Sequence, residues 1–243
     1  MTNTLTIGLL LPDVLGTYGD DGNALVLRQR ARMRDIDAHI RPIPLTEDIP
    51  SDCDIYTLGG GEDSAQIIAA SRLQASPGLQ RAIDAGRPVF AVCAGMQVLG
   101  HSFTAHGEEV AGIGVLDVHT SPMPERAIGE VQSHPLLDGL SAPLTGFENH
   151  MGGTTLGPDA SPLGQVKRGV GNNVGAGSGA GSRAGVEGVV QGSVIATYMH
   201  GPALARNPEL ADLLLARALG IDAQELTPLA LPEVDQLRKE RLK

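Results

Sequence analysis

A cysteine at the junction of a predicted strand and a predicted helix is the strongest chemical feature of the sequence. Residues 88–92 form an apolar run typical of a buried strand, Cys93 follows directly, and Ala94 and Gly95 precede a segment with helical spacing. This layout is typical of a nucleophile elbow, whose sharp turn lifts the reactive side chain clear of the sheet. A cysteine that simply packs between strand and helix is the alternative. The two small residues favour the reactive role because they leave room for a substrate.

A cysteine nucleophile needs a base, and the sequence contains seven histidines. His200 ends an apolar run and precedes Gly-Pro, so we expect it at the carboxyl end of a strand, where α/β sheets place active sites. His150 is the second candidate, and the other five are typical of surface or capping positions. No cysteine and histidine spacing is typical of zinc, so the sequence predicts no metal site.

Two further features have less specific meanings. Three glycines at residues 59–61 follow another apolar run. Their N–H groups could face an oxyanion, and a simple tight turn explains them equally well. The other cysteine, Cys53, lies between Asp52 and Asp54, whose negative charges predict a poor nucleophile.

The order of predicted elements indicates an α/β fold. Strand, loop and helix alternate up to about residue 105, which predicts a mostly parallel central sheet flanked by helices. A helix over residues 24–35 is predicted to begin after Asn23 as its N-cap and to expose a stripe of arginines. Beyond residue 105 the pattern favours short strands separated by glycine and proline, over residues 112–118, 146–150 and 189–198.

The last third of the chain contains a low-complexity segment and a predicted tail. Residues 172–185 are nearly all Gly, Ala, Ser and Asn, which predicts a mobile loop. A helix over residues 209–219 is predicted to end at Gly220. We expect one domain over residues 1–220 and a C-terminal tail over residues 221–243, helical in part and available to contact a partner.

Composition restricts the kinds of partner. The chain has 243 residues and a formal net charge of -10, which disfavours nucleic acid and anionic membrane surfaces. The apolar run near the start is interrupted by Pro12 and Asp13, so we expect neither a signal peptide nor a membrane span. Only two cysteines are present, which indicates a reducing cytoplasm. No lysine lies in a phosphate-binding glycine loop, so any ATP-driven step would need another polypeptide.

Four motifs in order resemble the class I glutamine amidotransferases, specifically their cobyric acid synthase-like branch. The match spans residues 5 to about 210, and its motifs are Leu58-Gly59-Gly60-Gly61-Glu62-Asp63, Ala91-Val92-Cys93-Ala94-Gly95-Met96-Gln97, Phe147-Glu148-Asn149-His150-Met151-Gly152 and Thr197-Tyr198-Met199-His200-Gly201-Pro202. The resemblance implies the three-layer α/β fold of that class, hydrolysis of L-glutamine, and no cofactor.

The opening segment refines the resemblance. Leu11-Pro12-Asp13, Tyr18-Gly19-Asp20 and Gly22-Asn23 are similar to the glutaminase subunits of cell-wall amidating enzymes. The resemblance implies that ammonia passes to a Mur ligase-like synthetase subunit of the MurT type. That partner would use ATP to amidate the D-glutamate of lipid II to D-isoglutamine in peptidoglycan synthesis.

The resemblance also implies residue roles. Cys93 would form a glutamyl thioester, and His200 would act first as base and then as acid. The implied substrate-binding residues are Arg126 for the α-carboxylate, Gly60 and Ala94 for the oxyanion through their N–H groups, and Gln97. A loop arginine exposed to solvent is the alternative for Arg126.

One departure concerns the acid that orients the histidine. Many class I enzymes carry a glutamate two residues after the histidine, where this chain has Pro202. Our hypothesis is that a partner carboxylate orients His200, with Glu148 as the alternative within the chain. Ala91 stands where the wider family often has glycine, and alanine is small enough to leave the elbow intact.

Three other functions remain open at this level. The chain could serve a cobyrinate-type amidating system, whose synthetase domain usually lies on the same polypeptide. It could be a non-enzymatic regulatory subunit with the same fold, although Cys93 and His200 disfavour this. A DJ-1-type hydrolase or chaperone would share the elbow but would not explain the histidine strand.

Overall fold

The computed structural model describes residues 4–172 and 185–243 of the chain. The strands in this part of the chain are β1 (Thr4–Leu10), β2 (Asp37–Ile43), β3 (Ile55–Leu58), β4 (Val89–Val92), β5 (Ser102–Ala105), β6 (Glu108–Ala111), β7 (Val118–Pro135), β8 (Leu144–Leu156), β9 (Gly164–Arg168), β10 (Val186–Glu187), β11 (Val189–Gln191) and β12 (Val194–Thr197). The helices are α1 (Gly22–Arg32), α2 (Asp63–Ala75), α3 (Gly78–Asp84), α4 (Ala94–Leu99), α5 (Ala203–Arg206), α6 (Pro208–Leu219) and α7 (Pro232–Arg241).

The central sheet has the strand order β11-β12-β4-β3-β1-β2. All neighbours in it are parallel except the edge pair of β11 and β12. Every residue of β3, β4 and β12 is buried, which is why these strands appear in the sequence as continuous apolar runs without alternation. The predicted mostly parallel central sheet is confirmed.

The connections place helices on both faces of this sheet. The β1–α1–β2 connection and the β3–α2–α3–β4 connection run in opposite directions along the strand order. Because such crossovers are right-handed, their helices lie on opposite faces. In agreement, α1 packs against α5 and α6, whereas α2 packs against α4. The strand order reverses between β1 and β3, and ligands of α/β sheets bind at that position, beyond the carboxyl ends of the strands.

A second sheet corrects the prediction of short strands beyond residue 105. It has the order β10-β9-β7-β5-β6, with β8 also paired to β7. The strands β7 and β8 have 18 and 13 residues and run antiparallel, with a register shift between Pro122 and Ala127. Proline and glycine in this region therefore mark a bulge within one long strand, because a bulge releases the backbone from the pairing that proline cannot make.

Helix α1 differs from its prediction in two respects. It begins at Gly22, so Asn23 lies inside the helix and is not its N-cap. The predicted arginine stripe does not all face solvent, because the side chains of Arg30 in the helix and Arg34 just beyond its end are only 8% and 3% exposed and both bind Asp212 of α6. Buried guanidinium groups need such a partner, so this pair of helices is tied by charge as well as by apolar packing.

The C-terminal region follows α6, which ends at Gly220 in the left-handed conformation with φ of 69°. The tail contains α7, and Arg238 of this helix donates to the carbonyl oxygens of Arg206 and Pro143. Of the predicted mobile loop, residues 173–184 lie outside the described residues. The described residues on the two sides of this segment are paired, because the N–H of Asn172 donates to the Val186 carbonyl over 2.8 Å. No helix in the described part of the chain is both long and apolar enough to span a membrane.

Candidate active site

Cys93 lies in a strained turn between β4 and α4. Its φ of 53° and ψ of -109° fall outside the ordinary regions for an L-residue. Such a conformation costs about 1–3 kcal/mol and persists only where the surrounding structure enforces it. Its N–H is fixed by the Thr197 carbonyl over 2.8 Å. A Cβ at Gly95 would lie 2.8 Å from the Leu58 carbonyl oxygen, so the residue after Ala94 must be glycine. The predicted elbow geometry is present.

His200 follows β12 and contacts an acid that the sequence analysis did not assign. Its Nδ1 lies 3.0 and 3.1 Å from the two carboxylate oxygens of Asp20. The backbone of His200 is paired with that of Phe147 in β8, which fixes its position from the other side. A Cβ at Gly60 would lie 3.0 Å from Cε1 of His200, 3.2 Å from Oδ2 of Asp20 and 3.4 Å from Cβ of Cys93, so the three side chains converge around this glycine.

The charge state of His200 follows from these neighbours. Burial lowers the pKa of the imidazole, but hydrogen bonding to Asp20 and the nearby Cys93 side chain outweigh burial and raise the pKa to about 10. The ring is therefore an imidazolium at neutral pH. Its second nitrogen, Nε2, is buried and has no hydrogen-bond partner among the described residues.

Asp20 replaces both sources that we considered for the orienting acid. Glu148, the alternative within the chain, accepts the N–H groups of Val170 and Gly171 over 2.7 and 2.8 Å and does not contact His200. A carboxylate of this chain already occupies the Nδ1 side of His200, so a partner carboxylate is not required there.

The position of Pro202 explains how Asp20 reaches the histidine. The Pro202 ring packs so closely on Gly22 that a Cβ at that glycine would lie 2.2 Å from its Cγ. Gly22 follows the segment that carries Asp20. The chain therefore brings an acid from the loop after β1 to the histidine, whereas many class I enzymes place a glutamate on the histidine segment.

The two predicted oxyanion donors differ in availability. The N–H of Gly60 donates to Oδ2 of Asp20 over 3.0 Å, so this amide is occupied in the structure, contrary to the expected free donor. Ala94 is the first residue of α4, so the helix supplies no acceptor for its N–H.

A cavity of about 300 Å³ opens beside Cys93. Arg126 lines it, and Nε of Arg126 donates to Oδ1 of Asn149 over 2.8 Å, which is its only side-chain hydrogen bond in the described part of the chain. Gln97 also lines the cavity, but its amide bonds to Gln66 at one end and to the Tyr198 hydroxyl at the other. The structure thus brings Arg126 to the site with its outer nitrogens free, and holds Gln97 in a buried polar network.

Other residues of the cavity lacked any signal in the sequence. The turn between β5 and β6 contributes His106 and Gly107, with φ of 52° and 81°, although His106 was assigned to the surface. Asp63 and Gln66, from the first turns of α2, line another part. A hairpin that folds back over a distant helix leaves no local pattern, so these residues could not be assigned from spacing alone.

Three other residues named from the sequence are placed as follows. His150 stacks on Tyr198 with ring centroids 3.7 Å apart, and its Nδ1 lies 2.8 Å from the Gly152 carbonyl, so it forms part of the cavity wall. Tyr18 covers the site, with its ring 5.0 Å from that of His200. Cys53 is fully buried, and burial is the main reason why its pKa is raised, ahead of the flanking carboxylates.

The site combines a cysteine in a strained elbow, a histidine on the adjacent parallel strand and a carboxylate where the strand order reverses. In an α/β protein this is the arrangement of a cysteine-dependent amide-hydrolysing enzyme. The chain belongs to the CobB/CobQ-like glutamine amidotransferase domain family, whose model matches residues 6–208.

Curated relatives extend this assignment. The chain is 38% identical over 217 residues to the Staphylococcus aureus lipid II isoglutaminyl synthase (glutamine-hydrolyzing) subunit GatD, covering 88% of this chain and 84% of that protein. The Streptococcus pneumoniae GatD subunit is 36% identical, with 88% and 80% covered. A cobyric acid synthase of Brucella anthropi is 32% identical, but the match covers 51% of this chain and 26% of that protein.

Solved structures support the fold. A glutamine amidotransferase of Thermotoga maritima aligns with a TM-score of 0.50 and 14% identity, over 98% of this chain and 93% of that chain. The glutaminase domain of Trypanosoma brucei CTPS with bound acivicin aligns with a TM-score of 0.51 and 14% identity, over 90% and 95%. The class I glutamine amidotransferase fold is confirmed.

Proposed function

We propose that the chain is the glutaminase subunit of a lipid II isoglutaminyl synthase. It hydrolyses L-glutamine to glutamate and ammonia, and the ammonia is used by an ATP-dependent Mur ligase-like synthetase subunit of the MurT type that amidates the D-glutamate of lipid II. The observation that carries the proposal is the Cys93–His200–Asp20 constellation within a chain of the glutamine amidotransferase family.

The chemistry begins with an ion pair. The thiolate form of Cys93 is the nucleophile, and beside the His200 imidazolium its sulfur attacks the side-chain carboxamide carbon of glutamine. The carbon–nitrogen bond breaks as His200 gives its proton to the departing ammonia, which leaves a glutamyl thioester. A water molecule then gives a proton to His200 and attacks the thioester, and the carbon–sulfur bond breaks to release glutamate. Asp20 holds the ring and its charge throughout.

The negative oxygen of each tetrahedral intermediate needs hydrogen-bond donors. The N–H of Ala94 takes this role because the helix leaves it without an acceptor. Gly60 lies beside Cys93 but joins only when its N–H leaves Asp20. Arg126 binds the α-carboxylate of glutamine, because its outer nitrogens remain available while Asn149 holds Nε. Gln97 shapes the cavity wall near the substrate.

The relatives support lipid II rather than a cobyrinate as the acceptor of the ammonia. The match to the two GatD subunits covers most of both chains, whereas the match to the cobyric acid synthase covers a quarter of that protein. A separate synthetase subunit is in keeping with these relatives being named as subunits. We further propose a cytoplasmic location, a main domain over residues 1–220, and a partner contact through the tail over residues 221–243.

The first test measures glutamate release from L-glutamine by the purified chain, alone and with a co-expressed Mur ligase-like protein. We expect release that requires Cys93, is present at a basal level in the isolated chain because Asp20 completes the site, and rises with the partner. Cys93→Ala is the control for chemistry by a contaminant. Absence of Cys93-dependent release in both conditions would contradict the proposal and favour a regulatory subunit.

A second test concerns the acceptor. Glutamine labelled with heavy nitrogen in its side-chain amide is supplied to the complex with ATP and lipid II, and the lipid product is analysed by mass spectrometry. We expect the label in the new amide of lipid II, and none with Cys93→Ala. Labelled ammonia in solution without labelled lipid II would support the glutaminase activity but would contradict lipid II as the acceptor.

A further inference from the structure

The charges on the cavity wall are distributed in a particular way. Among the described residues that line the cavity, Arg126 of β7 carries a permanent positive charge and Asp63 at the start of α2 carries a carboxylate. Away from the nucleophile Cys93, two histidines, His106 and His150, complete the titratable groups of the wall. The wall therefore offers one cation and one anion from two different elements.

Glutamine presents the matching charges. Its α-carbon carries a carboxylate and an ammonium, and its side chain ends in the amide that must reach Cys93. If Arg126 binds the carboxylate, the ammonium lies in the same cavity, where a carboxylate acceptor would replace the water that it loses on binding.

Other nearby carboxylates are already engaged. Asp20 binds His200 and the Gly60 amide, and Glu148 binds two backbone N–H groups. Glu62 accepts the Tyr18 hydroxyl and does not line the cavity. Asp63 is therefore the carboxylate of the wall that remains available to a ligand.

The position of Asp63 is fixed by the hairpin turn between β5 and β6. Its Oδ2 accepts the His106 N–H over 2.7 Å, while Oδ1 makes no hydrogen bond in the described part of the chain. The side chain is 48% exposed, as a group facing an open cavity must be. Ser64 secures the same turn, because its hydroxyl lies 3.0 Å from Nε2 of His106. Oδ2 of Asp63 thus fixes the hairpin turn, and Oδ1 remains available to accept a hydrogen bond from a cationic group.

We propose that Asp63 binds the α-ammonium group of glutamine and so selects an α-amino acid over a plain carboxamide. The inference rests on the proposed glutaminase function and adds a specificity-determining residue to it. The hairpin contact gives the carboxylate a defined direction, and Arg126 supplies the opposite charge at the other end of the substrate's head group.

The test compares L-glutamine with glutaramate, which is glutamine without its α-amino group. Asp63→Asn keeps an acceptor for the His106 N–H and removes only the charge. We expect KM for glutamine to rise roughly 10- to 100-fold with kcat within about threefold, as for a lost charge-assisted hydrogen bond in substrate binding. Hydrolysis of glutaramate should be unchanged or faster, so the preference for glutamine falls.

A matched control separates charge recognition from general effects. Glu108→Gln removes one exposed carboxylate two residues from His106, outside the cavity wall, and should leave the preference unchanged. An equal loss on both substrates in Asp63→Asn would show a structural role and overturn the inference, as would an unchanged preference. In either case Cys93-dependent glutamine hydrolysis by the unmodified chain would stand, so the inference can fail while the proposed function survives.

Discussion

Asp20 makes contacts that give one side chain two tasks at the candidate site. Its carboxylate accepts hydrogen bonds from Nδ1 of His200 and from the N–H of Gly60. Asp20→Asn keeps an acceptor for Gly60 but presents a donor or a neutral oxygen to the histidine, so the imidazolium loses its opposite charge. We expect kcat for glutamine hydrolysis to fall roughly 100- to 10,000-fold, the range for an orienting acid in a catalytic triad. Steady-state kinetics of the isolated chain measures it.

The control for this variant is the neighbouring acid. Asp21→Asn removes a carboxylate of the same loop that does not contact His200, and its kcat should stay within about threefold of the unmodified chain, as for most changes away from the reacting groups. Equal activity of Asp20→Asn and Asp21→Asn, with both chains folded by circular dichroism, would reject an orienting role for Asp20.

The raised pKa of His200 predicts the alkaline side of the pH profile. The imidazolium donates the proton to ammonia, and its pKa is raised to about 10, so kcat at saturating glutamine should stay level through neutral pH and fall as pH rises through about 10. In Asp20→Asn the charge that raises this pKa is lost, so the fall should move to lower pH. A profile of kcat at saturating glutamine from pH 6 to 10.5 in both chains measures the shift, and an unmoved alkaline limb would contradict it.

At the scale of elements, Asn23 connects the loop after β1 to the segment after β12. Its Nδ2 donates to the Asp20 carbonyl over 2.9 Å, and its Oδ1 accepts the Leu204 N–H over 2.9 Å. Asn23→Ala leaves the buried Leu204 N–H unpaired and removes one of the two hydrogen bonds that the Asp20 carbonyl accepts, so we expect the free energy of unfolding to fall by about 1–3 kcal/mol. The loop that carries Asp20 also loses its anchor, so kcat should fall as well. Urea unfolding and kinetics test both effects.

A control for Asn23 must lower stability without touching the site. Asp212→Asn weakens the ion pairs with Arg30 and Arg34 between α1 and α6. It should reduce the free energy of unfolding while leaving kcat unchanged. If kcat fell in proportion to stability in both variants, Asn23 would have no particular role in placing Asp20.

Elements differ in how far the sequence predicts them. The strands β3, β4 and β12 are buried on both faces, so their apolar runs identify them locally, and the elbow and the histidine follow because they lie next to these runs. The strand β7 alternates only weakly between buried and exposed residues and contains a bulge, so the sequence pattern predicts only its first residue, Val118, as part of a strand. Asp20 could not be assigned because its contact with His200 spans 180 residues, and no local pattern encodes such a pairing.

At the scale of the whole molecule, Glu187 joins the two sheets. It belongs to β10 of the second sheet, and its Oε1 accepts the Thr197 hydroxyl over 2.5 Å and the Tyr198 N–H over 2.9 Å on the histidine segment of the central sheet. Its Oε2 is buried with no hydrogen-bond partner among the described residues. Burial, opposed by these two bonds and aided by the charge of Glu148, raises the pKa of Glu187 to about 7. The junction of the sheets therefore contains a carboxyl group that favours its neutral form.

This burial predicts how stability depends on pH. In the unfolded chain Glu187 ionises near 4.5, whereas in the folded chain it ionises near 7, so its contribution is fully present below 4.5 and is lost as pH rises through about 7. Glu187→Gln keeps the acceptor for Thr197 and Tyr198 and has no charge to bury. Above pH 7 it should therefore raise the free energy of unfolding by on the order of 3 kcal/mol, with almost no gain at the acid end.

Urea unfolding of both chains at pH 5 and pH 8 measures the difference, with the exposed Glu109→Gln as the control for a changed net charge. A larger gain at pH 8 than at pH 5, absent from the control, is the expected result. The same gain at both values would show that the pKa of Glu187 does not differ between the folded and unfolded chains, and a loss at pH 8 would show that Glu187 is ionised and stabilising in the folded chain. Since the two sheets meet at this carboxyl group behind the histidine segment, that outcome would also mean that the junction binds a charge, and that its stability at neutral pH comes from the two hydrogen bonds.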